Sequence, residues 1–108
     1  MSGESLKGHL DLLLLAIVAE RPAHGYAIIE ALRDRSDGAF DLPEGTVYPA
    51  LHRLEEAGSI QSHWADGASG KRRRIYEMTT EGREALREKR KDWNDFAAGV
   101  GAILRGMA

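Results

Sequence analysis

The chain has no cysteine and only three prolines among its 108 residues, and its apolar run near the start, LLLLAIV, is short. Without cysteine the chain forms no disulfide and no thiolate metal site, which suits a reducing compartment. The apolar run is too short to span a bilayer, and no small-residue cleavage site follows it. We therefore expect a cytoplasmic protein with no membrane partner.

Sequence motifs of catalysis are missing as well. There is no glycine-rich phosphate loop, no nucleophile elbow and no His-Glu-x-x-His helix. The histidines show no i, i+4 pair and have no cysteine to join them: His9, His24, His52 and His63. This is not a zinc-binding pattern. The sequence predicts no enzyme, no cofactor and no metal site.

The formal net charge is −2, so the chain as a whole is not a basic nucleic-acid binder. Its charges are nevertheless segregated. Cations cluster in residues 71–74 and 83–91, whereas acidic residues are concentrated in residues 34–56. The basic segments are therefore the candidates for contact with phosphate groups.

Apolar spacing predicts two helices in the first third of the chain. The first covers about residues 6–20 and ends at Arg21-Pro22, because proline disfavours the helical conformation in the residue before it. It carries apolar residues on nearly every face, so we expect it to be buried all round. The second covers about residues 24–35, with Tyr26 among its apolar members, and ends at the turn sequence Ser36-Asp37-Gly38.

The stretch GTVYPALHRLEEAG, residues 45–58, predicts a third, amphipathic helix. Its apolar residues follow the i, i+3, i+4, i+7 spacing, and Gly58 stands where a C-terminal glycine is expected. Two starting points remain open. With Thr46 as the N-cap, Pro49 lies in the first turn and removes no intrahelical bond. With a start at Glu44, Pro49 bends the helix.

The next two segments, residues 59–65 and 71–79, alternate in side-chain character with a period of two, as strands do. The glycine-rich connection 66–70 joins them into a β-hairpin. Residues 80–107 then predict one long helix with Thr80 as its N-cap. The expected fold class is mainly α with a small β-hairpin wing (α+β), a winged helix-turn-helix followed by a long C-terminal helix.

The last helix carries an apolar stripe of its own. Its members recur at the a and d offsets of a heptad and predict a dimer interface: Leu86, Trp93, Phe96, Val100 and Ile103. Glycines near its end lower helix propensity, so the sequence leaves open whether the helix continues to its end. We assign residues 1–79 to a DNA-binding domain and residues 80–108 to a dimerisation helix.

In a winged helix-turn-helix, the third helix enters the major groove of double-stranded DNA with its non-core face. The wing cations suit phosphates or an adjacent minor groove. The expected DNA contacts are Thr46, Tyr48, Pro49, His52, Arg53, Lys71, Arg72 and Arg73. Arg74 alternates to another face of the wing, where we expect it to pair with an acidic side chain. Tyr48 either reaches a phosphate or packs beside Pro49.

Three motifs resemble the PadR family of winged-helix transcriptional regulators. They are Gly25-Tyr26 in the second helix, Gly45 to Gly58 in the third, and Arg74 to Gly82 at the end of the wing. The resemblance covers about residues 6–88, and the single terminal helix is similar to that of the short PadR class. It implies a homodimeric repressor on an inverted-repeat operator, with the last helix in the dimer interface.

In multidrug-binding members of the short class, tryptophans line a pore at the dimer centre and sandwich flat aromatic ligands. The resemblance therefore implies a flat aromatic effector. The implied ligand-binding positions are Trp93, Trp64, Leu10, Leu86, Arg90 and Ala97. This chain departs from those members by placing Lys89 and Arg90 one turn before Trp93. The two cations either favour anionic aromatic molecules or point to solvent.

Other interpretations remain open. Trp93 is alternatively a plain dimer contact, and Trp64 a residue that packs at the end of a strand. The acidic total charge, with Glu55 and Glu56 on the third helix, suits a winged-helix protein-interaction module that has lost DNA binding. A further possibility is a constitutive DNA-binding regulator without an effector. The sequence names neither the operator nor the effector, and it does not separate a repressor from an activator.

Overall fold

The computed structural model describes Leu6 and residues 8–107. Within this part of the chain there are four helices and a three-stranded antiparallel sheet of order β1-β3-β2. The elements are α1 (Leu10–Glu20), β1 (Ala23–His24), α2 (Gly25–Arg35), α3 (Glu44–Glu56), β2 (Ile60–Asp66), β3 (Arg72–Met78) and α4 (Thr80–Arg105). Their order confirms the predicted winged helix-turn-helix with a long C-terminal helix. Residues 1–5, 7 and 108 of the two predicted domains lie outside the described residues.

Helix α1 begins at Leu10, later than predicted, because the two preceding residues form a turn. The His9 side chain makes no capping hydrogen bond at this end. Leu14 and Leu15 are fully buried, and every residue of the helix before Glu20 is buried or half-buried. The prediction of a helix enclosed on nearly all sides is confirmed.

Helix α2 is capped by the His24 side chain, whose Nδ1 accepts the backbone N–H of Ala27 at 3.2 Å. Ile28 and Leu32 face the core. Tyr26, predicted among the apolar members of this helix, is instead 57% exposed. It lies two residues, or about 200° around the helix, from Ile28, so its ring points away from the core.

Helix α3 begins at Glu44 with Pro43 at the N-cap position, so Thr46 is not the cap. The N–H of Thr46 donates to the Pro43 carbonyl at 3.0 Å, as an interior residue of the first turn does. Pro49 therefore lies inside the helix. Because proline has no N–H, the Gly45 carbonyl lacks the hydrogen bond that residue 49 would normally donate to it. Gly45 is exposed, so water can supply that hydrogen bond.

The buried stripe of α3 is the predicted one, formed by Val47, Ala50, Leu51 and Leu54. Just beyond the helix, Gly58 has φ 80°, in the left-handed region that favours glycine. The predicted C-terminal glycine is confirmed. The amphipathic character of α3 therefore fixes which of its faces packs on the core and which is left exposed.

The wing is the hairpin of β2 and β3, and each strand lies within one residue of its predicted bounds. Strand β1 was not predicted. Its two residues pair with Tyr76 and Ile75 of β3 and place β3 in the centre of the sheet. Two residues are too few to show a period in the sequence, so β1 depends on the edge that β3 offers it.

Helix α4 is capped by Thr79 rather than by the predicted Thr80. The Oγ1 of Thr79 accepts the N–H of Gly82 at 3.0 Å, and its hydroxyl donates to the Gly58 carbonyl at 2.6 Å. The helix then continues through its interior glycines to Arg105. The segment is therefore helical up to Arg105, and Gly106 is its C-cap.

The core lies between α1, α2 and α3, and Ile60 and Tyr76 of the hairpin close one side of it. Ala85 and Leu86, near the start of α4, are half-buried against this core. The rest of α4 extends beyond it, and the described chain is 59 Å long but 21 Å across its thinnest direction. Three surfaces are thus left for function: the outer face of α3, the wing and the outer part of α4.

Candidate nucleic-acid interface

The outer face of α3, opposite its buried stripe, forms the first part of the site. Tyr48, Pro49, His52 and Arg53 are exposed there, and Thr46 is half-buried at its border. Their spacing of three to four residues places them about one turn apart along one side of the helix. The structure therefore gathers the predicted DNA contacts of this helix on a single surface.

Arg53 is engaged at the edge of this surface by an ion pair with α1. Its Nη2 lies 2.9 Å from Asp11 Oδ1, with the Arg53 side chain 59% exposed and the Asp11 side chain 32% exposed. A guanidinium group has five N–H donors, so this contact leaves others for a phosphate. Asp11 therefore orients the Arg53 side chain and offsets part of its charge.

His52 contacts Glu56 one turn further along α3. Its Nε2 lies 3.3 Å from Glu56 Oε1, and both side chains are largely exposed. Ion pairs at such exposed positions contribute little to stability, because water screens them and both side chains lose conformational freedom. The imidazole is therefore only weakly held by Glu56.

The wing carries Lys71, Arg72 and Arg73 exposed at or beside its tip. The alternation of β3 places Arg72 and Arg74 on one face of the hairpin, and Trp64 of β2 lies directly opposite Arg74. The guanidinium carbons of Arg72 and Arg74 each lie 5.4 Å from the centroid of the Trp64 ring. This is within the range of cation–π attraction, so an aromatic ring between two cations forms the centre of the wing face.

Glu55 links α3 to the wing. Its Oε2 lies 3.4 Å from Arg74 Nη2 and also accepts a hydrogen bond from the Ser62 hydroxyl. The prediction that Arg74 pairs with an acidic side chain is confirmed. Because one carboxylate contacts both strands of the hairpin, it helps to fix the angle between the wing and α3.

Tyr48 turns its ring back against α2. A Cβ on Gly25 would lie 2.5 Å from the Cε1 atom of Tyr48, so the ring occupies space that glycine leaves open. Burial, reinforced by the Glu44 carboxylate, raises the pKa of the Tyr48 phenol. The phenol therefore stays protonated, and remains a hydrogen-bond donor, throughout the physiological range.

A groove of about 480 Å³ opens between the wing and the start of α2. We name it the arginine–aromatic groove. Its walls combine three tyrosines, one tryptophan and three arginines: Tyr26, Tyr48, Tyr76, Trp64, Arg72, Arg73 and Arg74. It joins the outer face of α3 through Tyr48 and the wing tip through Arg72, so the three parts form one continuous surface.

A second opening lies between α1 and α4. Trp93 is 42% exposed and lines a cavity of about 310 Å³ whose wall includes Leu12, Lys89 and Asp92. The rings of His9 and Trp93 meet edge-on at a centroid distance of 5.1 Å. A smaller, apolar cavity of about 260 Å³ adjoins the same indole. An aromatic wall is thus bordered by one cation and one anion.

Beyond Trp93, α4 carries a row of exposed apolar side chains. Phe96 is 60% exposed, Val100 38% and Ile103 75%. Leu86, which was predicted in the same stripe, is half-buried against the core of its own chain. A contiguous exposed apolar face of this kind is typical of a protein–protein contact.

Residues 14–88 match the transcriptional regulator PadR-like family. The chain belongs to this family. It is 35% identical to the transcriptional regulator Rv3488 of Mycobacterium tuberculosis over 97 residues, which cover 90% of this chain and 87% of that protein. It is also similar to two solved PadR family structures. One, from Eggerthella lenta, is 36% identical with a TM-score of 0.81 and covers 96% of this chain and 88% of that one. The other, from Clostridium difficile, is 34% identical with a TM-score of 0.80, and the match covers 90% of this chain and 99% of that one.

Members of the PadR-like family are transcriptional regulators rather than enzymes. The predictions of a PadR-like regulator and of a non-enzymatic role are confirmed at this level. No helix within the described part of the chain is long and apolar enough to cross a membrane. Over the same residues, no group of three or more histidine and carboxylate side chains is placed to hold a metal ion.

Within a single chain, the ligand-binding residues predicted for this PadR-like protein do not line one opening. Trp93 lines the opening between α1 and α4, whereas Trp64 lies in the arginine–aromatic groove. The remaining predicted residues line neither opening: Leu10, Leu86, Arg90 and Ala97. Leu10 is buried in the core, and Lys89 rather than Arg90 is the cation in the wall beside Trp93.

Sequence reasoning missed Tyr26 and Tyr76 as members of the groove and gave Trp64 a different role. The sequence placed Trp64 on the strand beside the wing arginines, but the register that sets it opposite Arg74 became known only from the fold. Asp11 was missed for another reason. Its partner Arg53 is 42 residues away in the chain, and an ion pair over that separation leaves no local pattern.

Proposed function

We propose that this PadR-like regulator is a cytoplasmic homodimeric repressor that binds an inverted-repeat operator in double-stranded DNA. The observation that carries the proposal is the continuity of the outer face of α3 with the wing cations. Helix α3 would enter the major groove, and the wing would contact the flanking backbone or minor groove. The DNA-binding residues are Thr46, Tyr48, Pro49, His52, Arg53, Lys71, Arg72 and Arg73.

The dimer forms through residues 80–108, and residues 1–79 make up the DNA-binding domain. The exposed apolar face of α4 supports this division, since Trp93, Phe96, Val100 and Ile103 are left open to solvent in a single chain. A second copy offers the same stripe for a two-fold symmetric contact. Two-fold symmetry also relates the two α3 helices, which is the symmetry of an inverted repeat.

A flat aromatic effector binds beside Trp93 and releases the DNA. The size of the cavities at this indole and the aromatic character of their walls support this part of the proposal. Lys89 offers a partner to an anionic group on the effector, while Asp92 in the same wall opposes a large negative charge. The effector must bind one spacing of the two α3 helices better than the other, because equal affinity for both would shift nothing.

Fluorescence anisotropy with labelled promoter duplexes at low salt tests DNA binding. We expect saturable binding that weakens steeply with added salt. Alanine at Lys71, Arg72 and Arg73 together should weaken binding to every duplex, whereas His52→Ala should mainly reduce the preference for the operator. Light scattering should give twice the mass of the 11.9 kDa chain. A monomer that binds no promoter duplex would contradict the proposal.

Tryptophan fluorescence titrated with a panel of flat aromatic compounds tests the effector. Saturable quenching that disappears in Trp93→Ala, while the dimer persists, is the expected result. Quenching by no compound in the panel would favour the constitutive regulator, in which Trp93 serves only as a dimer contact. The DNA-binding part of the proposal would then stand without the effector.

A further inference from the structure

Three openings follow one another along α1, and two aromatic rings separate them. The first, of about 310 Å³, has Lys89 and Asp92 in its wall and shares Trp93 with the second, an apolar cavity of about 260 Å³. The second shares Phe40 with the third, of about 250 Å³, which reaches the end of α2. We name the second opening the middle cavity. Trp93 and Phe40 are therefore the partitions at its two ends.

Phe40 belongs to the connection between α2 and α3 and is tied to both helices. Its N–H donates to Ser36 Oγ at 2.9 Å. The Ser36 hydroxyl is directed to the Leu32 carbonyl at 2.7 Å, the nearer of two carbonyls in the last turn of α2. Two residues further along the chain, Pro43 is the N-cap of α3. A displacement of Phe40 therefore reaches the start of α3 through a very short stretch of backbone.

The Phe40 ring is half-buried and has open space on both sides, the middle cavity on one and the third opening on the other. Protein interiors are normally filled to the density of organic crystals, so a ring between two voids is an exception. Such a ring has two positions available to it. An occupant of the middle cavity would press on the ring from the side of Trp93 and leave it room only towards α2.

The size and wall of the middle cavity indicate what it holds. An engineered cavity of about 150 Å³ binds benzene, so the middle cavity has room for a phenyl ring or a branched aliphatic group. Leu12 and Leu13 line it beside the two aromatic rings. A helix of a second copy is about 10–12 Å across and would reach this space with one side chain only. A small molecule lying on Trp93 spans both the first opening and the middle cavity.

We infer that the middle cavity is a second subsite for the effector and that Phe40 transmits its occupancy to α3. The ligand class is an amphipathic aromatic molecule, with a flat ring carrying one anionic group beside Lys89 and an apolar group in the middle cavity. The inference rests on the proposed effector site and adds Leu13 and Phe40 to it. The effector shifts α3 because it binds one position of the Phe40 ring better than the other.

Two probes that differ by one phenyl group test the subsite. Anilinonaphthalenesulfonate carries this group, and aminonaphthalenesulfonate lacks it. Isothermal titration calorimetry should give the anilino compound about tenfold higher affinity for the parent chain, because burial of a phenyl ring is worth at least this factor. In Phe40→Leu the advantage should fall to about threefold, since the ring contact is lost, while the amino compound keeps its affinity.

Equal affinities of the two compounds for the parent chain, a comparison that needs no variant, would overturn the subsite. Binding of neither compound would do the same, and anisotropy with promoter duplexes would still test the proposed DNA binding separately. Light scattering identifies the other possible occupant. If Phe40→Leu dissociates the dimer and leaves the advantage of the anilino compound unchanged, a second copy fills the cavity and the inference is wrong.

The role of Phe40 is tested by the coupling between the probe and DNA. Saturating anilinonaphthalenesulfonate should weaken binding of the promoter duplex to the parent chain about tenfold, and the duplex should weaken binding of the probe by the same factor. In Phe40→Leu this factor should approach one even when the probe saturates. Leu42→Val is the matched control, because Leu42 is half-buried in the same connection but lines none of the three openings.

Leu42→Val should keep the coupling factor of the parent chain. An equal factor in Phe40→Leu and the parent chain would overturn the role of Phe40. If the parent chain bound both the duplex and the probe without coupling, the inference would fail while the proposed DNA binding stood.

Discussion

Gly82, the third residue of α4, is packed so closely that alanine should not fit there. A Cβ would lie 2.9 Å from the carbonyl carbon of Ser59 and closer still to its oxygen. The Ser59 carbonyl cannot move freely, because it accepts the Thr79 N–H at 3.2 Å and shares the Thr79 hydroxyl proton, at 3.0 Å, with the Gly58 carbonyl. Overpacking of a core typically costs about 1–3 kcal/mol, and each hydrogen bond lost costs about 1 kcal/mol.

Helix propensity opposes this loss, because alanine is favoured over glycine in a helix by up to about 1 kcal/mol. The net expectation for Gly82→Ala is a decrease of about 2–3 kcal/mol in the free energy of unfolding. At about 4–8 °C per kcal/mol for domains near this size, the melting temperature should fall by roughly 10–20 °C.

Urea denaturation at one fixed protein concentration measures this effect, since dimerisation would otherwise shift the midpoint. The matched control is Gly45→Ala, also in the first turn of a helix, where a Cβ would meet nothing within 4 Å. Gly45→Ala should leave stability unchanged or slightly raised. If Gly82→Ala proved as stable as the parent chain, the close contact between α4 and Ser59 would not exist in solution.

Three further predictions concern single side chains. Asp11→Asn should raise DNA affinity about threefold, because Arg53 loses its competing partner; anisotropy showing equal or weaker binding would contradict this. Burial raises the pKa of Tyr48 and of Tyr76, so the unfolded chain ionises first and stability should fall as pH rises above about 10. A urea midpoint that stays constant between pH 9 and 11.5 would refute this. Thr79→Ala removes the cap of α4 and should lower the free energy of unfolding by about 1–2 kcal/mol, and an unchanged midpoint would show that the cap is replaceable.

The elements that could be predicted from the sequence are those whose pattern is local. The stripe from Val47 to Leu54 determines both the existence of α3 and its buried face, and Gly58 marks its end through a backbone conformation that few other residues adopt. Helix boundaries were less certain where two chemically similar signals compete, as Thr79 and Thr80 do at the start of α4.

The features that could not be predicted depend on contacts between distant segments. Strand β1 has no pattern of its own and forms only because β3 presents an edge. The engagement of Arg53 by Asp11 is likewise invisible until α1 and α3 are packed together. The exposed cations of the candidate site could therefore be predicted from the sequence. The carboxylates that pair with Arg53 and Arg74 could be identified only from the fold.

The contacts of Glu55 with Arg74 and Ser62 affect how the proposed dimer would distinguish one operator from another. Because this carboxylate contacts both strands of the wing from α3, we expect the distance between α3 and the wing tip to vary little within one protomer. In the proposed dimer the adjustable length is then the one between the two halves, to be matched against half-sites about 34–36 Å, or one helical turn, apart. Such a dimer would distinguish operators by the distance between their half-sites. Inserting a single base pair at the centre of the operator would harm binding more than changing a base at its edge, because insertion alters distance and rotation for every contact of one half at once.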